Sequence, residues 1–237
     1  MGTHDDEVSD TGAPAEAPTP VRVTSRSGSV VVSGEDRDDV LVERGADRVR
    51  TTDEGLTIEG RTGSLVVRCP AGSDVLVGAG TGSVSLQGTL GAARVTTARG
   101  SVTIERAREV DVRTRTGRID IGTCAGTCRV QAGSGRLRVG RADSAELAAA
   151  TGSIEVDAVG AARVRVGRGS ITLGLVEAAT VELEAHSGSV TVTVPHGLRP
   201  ALSLHAQRGR VRCECEPGHD GEIRITTGSG QIAVIER

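Results

Sequence analysis

Short runs of alternating aliphatic and polar residues recur along the chain, and a glycine separates the two runs of each pair. The stretches "TGSVSL" (81–86), "ARGSVTIE" (98–105), "TGSIEV" (151–156) and "SGSVTV" (187–192) show the pattern. Alternation with a period of two predicts β-strands with one buried face. The glycine predicts a tight turn between the strands, because glycine adopts positive φ without steric cost.

These glycines recur at a nearly constant spacing. Successive anchor glycines stand 17 to 21 residues apart, except for one gap of 35 residues, which we interpret as two repeats with a degenerate anchor at Asp47. A fixed period of about 18 residues is typical of stacked-repeat proteins. The sequence therefore predicts twelve coils, each with two short strands, a glycine turn and a looser loop of about five residues. The anchors are Gly28, Gly63, Gly82, Gly100, Gly117, Gly135, Gly152, Gly169, Gly188, Gly209 and Gly230.

Four positions in every repeat carry aliphatic side chains. They lie seven and five residues before the anchor and two and four residues after it, and Thr51 is the one polar residue among these 48 positions. Identical columns in every repeat favour coils stacked in register over a hairpin meander. We predict an all-β fold over residues 21–237, a parallel β-solenoid of the β-helix or flattened β-roll kind, with Val112 inside and Arg113 outside. The handedness and the cross-section stay open.

Composition agrees with a thin core. The chain has no Phe, Tyr or Trp, although aromatic side chains supply much of the buried area of ordinary domains. Two facing layers of aliphatic side chains can fill a thin core without aromatic residues. Residues 1–20 are acidic, rich in Pro and Ala and without periodicity, which predicts a disordered tail before a single solenoid domain.

Charged residues at outward positions alternate in sign from coil to coil. Stacked parallel strands lie about 4.8 Å apart, so neighbours of opposite sign attract and help to set the register. Two such ladders are predicted: Asp111, Arg129, Glu146, Arg163 and Glu182 in one, and Asp120, Arg138 and Glu155 in the other.

The stretches "RCPAGSDVLVGAGTGSVSL" (68–86) and "VTVPHGLRPALSLHAQRGRVRC" (192–213) resemble a bacterial family of β-strand repeats of unknown function, often labelled "putative adhesin". The resemblance covers residues 21–237 and implies no catalytic residues. Cys69 stands before Pro70 where the family more often has Val, and no membrane anchor is visible. The coils without aromatic residues also resemble, in architecture, the bactofilins, cytoplasmic β-helices that polymerise end to end.

Motifs for catalysis or cofactor binding are lacking, and we expect neither an enzyme nor a cofactor. The glycines of "GAGTGS" (78–83) precede a strand, whereas a phosphate loop precedes a helix. A polysaccharide-cleaving site would need clustered carboxylates and aromatic platforms. No basic block or stacking ring suggests nucleic acid, and no apolar run approaches the length of a membrane span.

Cysteine and histidine residues are the candidate metal ligands of the chain. Cys128 and Cys213 fall in core columns and are expected to replace Val as small hydrophobes. Cys124 and Cys128 lie four apart across a loop, where a disulfide or a metal is the alternative. Histidines 186 and 205 are expected on exposed faces. The wide loops near the C-terminus could bring together a set of Zn²⁺ ligands, although solvated loop residues are the simpler expectation; the set is His196, Cys215, His219 and Asp220.

Two functions fit the sequence. One is a structural scaffold that presents a rigid face and associates through its terminal coils; the C-terminal strand with Ile232 and Val234 is expected to be uncovered and to pair with another chain. The other is an adhesin-like or envelope-stress-related module that recognises a protein partner with its side loops. The missing secretory signal and the odd count of five cysteines favour a cytoplasmic location.

Overall fold

A computed structural model of the protein describes residues 20–52 and 55–237. The predicted tail, residues 1–20, lies outside the described residues apart from Pro20. Strands dominate the described part, which contains no helix and therefore none that could cross a membrane. The strands are β1 (Val21–Ser27), β2 (Val30–Glu35), β3 (Leu41–Arg44), β4 (Arg48–Thr52), β5 (Gly55–Thr62), β6 (Leu65–Pro70), β7 (Val75–Thr81), β8 (Val84–Val194), β9 (Ala201–Cys213) and β10 (Gly221–Glu236).

The fold is all-β and solenoid-like, and its sheet is mixed. Strands pair in parallel between coils with matching columns; Val23 of β1, for example, lies opposite Ile58 of β5 on one side and Val77 of β7 on the other. Through the central coils the strand pairing is continuous, so β8, with its 111 residues, spans several successive coils and includes their glycine turns. The loops of about five residues that we predicted between coils are therefore absent from β8, because those segments are strands as well.

Stacked glycine turns explain why the anchor is invariant. Gly117 has a φ of 154°, and a Cβ added to it would overlap the carbonyl oxygen of Gly100; a Cβ at Gly100 would overlap that of Gly82. Each turn therefore rests directly on the backbone of the turn before it. Side chains are excluded both by the left-handed conformation and by this close approach.

The core consists of the predicted aliphatic columns. Val112, Ile104 and their equivalents in the central coils are fully buried, whereas Arg113 is exposed, as predicted. Burying a side chain of this size stabilises the fold by about 1.5–3 kcal/mol. A further inward column lies seven or eight residues after the anchor, in the segments predicted as loops; its members include Leu90, Ala107, Cys124, Ala142 and Val159.

The repeat assigned to Asp47 was wrong. The chain there forms β3 and β4, which pair antiparallel with β6 and β5, and a β-bulge interrupts β3. Val49 is 49 % exposed, so this segment does not bury the columns of a coil. It covers the edge of a neighbouring coil and adds no layer of its own.

The spatial order of the coils differs from their order in the sequence at both ends. The coil of Gly28 lies between those of Gly63 and Gly82, because β1 and β2 pair with strands of both. The coil of Gly230 lies between those of Gly188 and Gly209, because β10 pairs with both β8 and β9. We call the outermost layers the Gly63 end (β5 and β6 with β3 and β4) and the Gly209 end (β9).

The charge ladders are confirmed in part. In the first ladder, Arg129 lies 3.0 Å from Glu146, and Arg163 lies 2.6 Å from Glu182. In the second, Arg138 binds Asp157 at 2.9 Å, a residue that was not among its predicted partners. These pairs join neighbouring coils at exposed positions, where each contributes about 0–1 kcal/mol.

Candidate functional site

The C-terminal strand is not the open edge of the molecule, contrary to our expectation. Ile232 of β10 lies opposite Val190 of β8 on one side and Val211 of β9 on the other. Both Ile232 and Val234 are buried. The insertion of β10 between its neighbours moves the unpaired edge to β9.

The open edge is β9, which has one strand neighbour within the described residues. Its core-column residues are incompletely covered: Leu202 and Leu204 are half-buried, and Val211 is 47 % exposed. Cys213, predicted as a buried replacement for Val, is exposed for the same reason. An uncovered coil presents both unpaired backbone groups and an apolar surface, which together invite an additional strand.

Arginine dominates the charge of this edge. Arg208, Arg210 and Arg212 alternate along β9 and are exposed. Arg212 pairs with Glu214, whereas Arg208 and Arg210 make no ion pair within the described part of the chain. The edge is therefore basic, although the whole chain has a net charge of −3. The alternating arginines of "QRGRVRC" (207–213) were visible in the sequence, but only the coil order gives them significance.

Hydrogen bonds of the wide loops hold the final strand in place. Arg237 N donates to Val194 O at 3.0 Å, and His196 N donates to Arg237 O at 2.9 Å. His196 Nδ1 also lies 2.8 Å from Glu236. Glu214 N donates to Val234 O at 2.9 Å, beyond the end of β9. The segments around β9 and β10 are thus fastened to each other.

The candidate zinc ligands are not brought together. His196 contacts Glu236, and Asp220 accepts a hydrogen bond from Arg199 N at 3.0 Å. Cys215 instead contacts Cys213, with their sulfur atoms 3.5 Å apart. The described residues contain no group of three or more His, Cys, Asp or Glu arranged to hold a metal ion. His186 and His205 are exposed, as predicted.

The five cysteines are all free thiols, and four of them form two close pairs. Cys124 and Cys128 are fully buried in the central core. A hydrogen bond from the Cys128 thiol lowers the pKa of Cys124 to about 7, and the same hydrogen bond together with burial raises the pKa of Cys128. Near the Gly209 end, burial and the Cys213 thiol raise the pKa of Cys215 to about 11. The contact between Cys213 and Cys215 was missed from the sequence, although "CEC" is a visible spacing.

A shallow groove crosses the side of the central coils, away from β9. Its volume is about 770 Å³, and small residues such as Gly133, Ala148 and Gly167 form its floor. Arg165 and His186 lie at its margin. The groove exists because several consecutive coils carry Ala or Gly where others carry longer side chains.

Comparison with known proteins gives a family match and a distant structural likeness. Residues 21–235 match the model of a protein family described as Toastrack DUF4097. The fold is also similar to a crystal structure of a "putative cell adhesion protein" from Clostridium sporogenes, with 10 % identity, 93 % of this chain and 94 % of that chain covered, and a TM-score of 0.24. The search of curated proteins gives no match.

Proposed function

The chain belongs to the Toastrack DUF4097 family, and we propose that it is a rigid, non-enzymatic scaffold that binds an acidic, extended segment of a protein partner at the open edge of β9. The observation that carries the proposal is the contrast between the two ends of the stack within the described residues: the outermost parallel strands at the Gly63 end have a strand on both sides, because β4 pairs with β5 and β3 with β6, whereas β9 pairs with β10 alone. An added strand would complete the backbone pairing and cover Val211.

Charge decides which partner fits. Two copies of β9 placed edge to edge would bring Arg208, Arg210 and Arg212 of one copy close to those of the other, and like charges on adjacent strands repel. An acidic strand would instead form ion pairs with the same residues. Self-association through the terminal coils, of the kind that the bactofilin resemblance implies, is therefore the less favourable use of this edge.

The scaffold part of the proposal includes a closed, parallel coil through the centre of the stack. The parallel register of the paired strands and the contact of each glycine turn with the next support it. Exposed carboxylates on the sides are paired with arginines, as in Arg129–Glu146 and Arg163–Glu182. Carboxylates that are paired in this way are suited to a structural surface. They are less suited to acid–base catalysis, which needs a carboxylate that exchanges a proton with a substrate.

The test is binding of a fluorescein-labelled peptide of alternating glutamate and valine, followed by fluorescence anisotropy. We expect saturable binding that weakens as salt is raised, because ion pairs at an exposed edge are screened. A peptide of alternating lysine and valine serves as the charge control and should not bind. The double variant Arg208→Glu/Arg210→Glu should lose at least tenfold in affinity for the acidic peptide.

The matched control is Arg168→Glu/Arg136→Glu. These two residues occupy the same positions relative to their anchor glycines, one before and one after, but lie on the side of the central coils. The control variant should bind the acidic peptide as the unaltered protein does. Equal loss in both variants, or no binding at all, would overturn the proposal. A dimer that the reversal of Arg208 and Arg210 abolishes would assign the edge to a second copy instead.

The side groove favours a second candidate, an adhesin-like module that recognises its partner along the sides of the coils. A floor of Gly133, Ala148 and Gly167 between charged margins could hold a linear chain that runs along the stack. Ala148→Arg would fill the groove and leave β9 unchanged. A partner whose binding is lost in Ala148→Arg and retained in Arg208→Glu/Arg210→Glu would support this candidate over the first.

A further inference from the structure

Two thiols meet where the open strand ends. Cys213 is the last residue of β9 and is exposed, and Cys215, two residues further on, is 7 % exposed. Their sulfur atoms lie 3.5 Å apart, and Cys213 Sγ also lies 3.4 Å from the Cys215 carbonyl oxygen. The Cys213 residue is thus exposed to solvent, and the buried Cys215 thiol lies within contact distance of the Cys213 thiol.

We propose that Cys213 and Cys215 form a reversible intramolecular disulfide by exchange with a low-molecular-weight disulfide such as oxidised glutathione. The two sulfur atoms need to approach by about 1.5 Å to reach the bonded distance of about 2.05 Å. Both residues lie at the end of an edge strand and in the loop after it, where the backbone is less constrained than in the stacked coils.

The exchange has two steps. The Cys213 thiol loses its proton to solvent, and its thiolate attacks one sulfur of oxidised glutathione, which breaks that S–S bond and releases one glutathione thiolate. Cys215 then loses its proton and attacks Cys213 Sγ, which releases the second glutathione thiolate. The protein is oxidised by two electrons, the disulfide reagent is reduced to two thiols, and the two protons end on the leaving thiolates.

The roles of the two residues follow from their surroundings. Exposure makes Cys213 the residue that meets the reagent. Burial and the neighbouring thiol hold the pKa of Cys215 at about 11, so this residue is a poor first nucleophile in neutral solution. Once the mixed disulfide stands beside it, however, the attack is intramolecular and gains the advantage of proximity.

The other close pair provides the natural comparison. The pKa of Cys124, lowered to about 7 by the Cys128 thiol, would make it the more reactive group if the thiolate fraction alone decided. Both residues of that pair are fully buried, so a dissolved disulfide cannot reach them without opening the core. Accessibility therefore selects Cys213, and Cys124 and Cys128 should stay reduced in the folded protein.

Closure of the bond would tie the end of β9 to the following loop. The affinity of the β9 edge for an acidic segment would then depend on the redox state. That consequence rests on the proposed function, whereas the disulfide itself does not. A mass measurement tests the disulfide without any peptide, so the two proposals fail independently.

The experiment is incubation of the folded protein with oxidised glutathione, followed by alkylation in denaturant and intact-mass analysis. We expect the unaltered protein to lose two hydrogens in mass and to leave three cysteines alkylated. Dithiothreitol should restore five alkylated cysteines. Peptide mapping should place the bond between Cys213 and Cys215.

Single variants separate the steps. Cys215→Ser should stop at the mixed disulfide and retain one glutathione, because the second thiol is missing. Cys213→Ser should react at least tenfold more slowly, because its remaining partner is buried. The control Cys124→Ser/Cys128→Ser should form the bond as the unaltered protein does. A stable glutathione adduct in the unaltered protein, or a bond mapped elsewhere, would overturn the proposal.

Discussion

The two ends of the stack differ in how the edge of the outermost parallel coil is covered. At the Gly63 end, the outermost parallel coil is sealed by the short antiparallel strands β3 and β4, and Leu65 is 1 % exposed. At the Gly209 end nothing among the described residues covers β9, and Val211, in the same column two residues after its anchor, is 47 % exposed. One end is closed by the chain's own strands, and at the other end one edge of a long strand has no partner among the described residues.

The seal has the features by which natural proteins protect an edge. β3 and β4 are four and five residues long, β3 is interrupted by a bulge, and charged residues occur in both. Short, bulged and charged edges pair poorly with other chains. β9 has 13 residues and no bulge in its pairing with β10. Arginine is the one protective feature it shares, and arginine discriminates between partners by charge.

The largest expected effect comes from one substitution made at both ends. Leu65→Asp places an unpaired carboxylate in a sealed layer and should lower the free energy of unfolding by about 3–5 kcal/mol. Val211→Asp leaves the carboxylate in contact with water and beside arginines, and should cost about 1 kcal/mol or less. Urea unfolding followed by circular dichroism gives both values. Similar losses at the two positions would mean that the Gly209 end is covered after all.

An intermediate effect is expected from alanine at two anchor glycines. Gly117→Ala forces a Cβ against the backbone of the turn beneath it, whereas Gly63→Ala at the outermost coil meets no atom within 4 Å. Both residues have positive φ, so each variant carries the conformational cost of about 1–2 kcal/mol. Gly117→Ala should lower the free energy of unfolding by about 1 kcal/mol more than Gly63→Ala, because the backbone of the neighbouring turn at Gly100 has to move. Thermal and urea melts measure the difference, and equal melts would remove the stacking argument.

The smallest effect concerns the ladders between the ends. Glu146→Gln removes the partner of Arg129 and should lower the free energy of unfolding by about 0–1 kcal/mol in dilute buffer, and by less at about 1 M salt. Glu109→Gln is the control, since this exposed carboxylate makes no ion pair within the described ranges. A loss for Glu146→Gln that does not respond to salt would indicate packing instead of charge.

The aliphatic columns and the glycine turns could be predicted because each repeats a local requirement. Every coil needs inward residues at the same offsets and a residue that tolerates positive φ, so the signal is present many times over. The further inward column with Ala107 and Cys124 was missed because one apolar residue in a segment of about five has no alternating partner and is therefore interpreted as part of a loop.

The uniformity of the repeats made the columns predictable, and the same uniformity concealed the spatial order of the coils. When all coils share one set of offsets, any coil can lie on any other in register, and hydrophobic pattern does not select the neighbour. The signal that was available is the length of the connections. The gap of 35 residues and the two gaps of 21 residues fall where the chain passes over a coil or turns back. Read as extra or stretched coils, they led to the wrong Asp47 repeat and the wrong open edge.

The insertion of the first and last coils also determines where the molecule begins to fray. Chain termini are usually the first segments to open in hydrogen exchange, because they have few neighbours. Here β1 and β10 each have a parallel strand on both sides, so both ends of the domain are held in the ladder like interior strands. Among the parallel strands of the described residues, we therefore expect the fastest amide exchange in β9, which lies well inside the sequence and is completed before the chain adds its last strand.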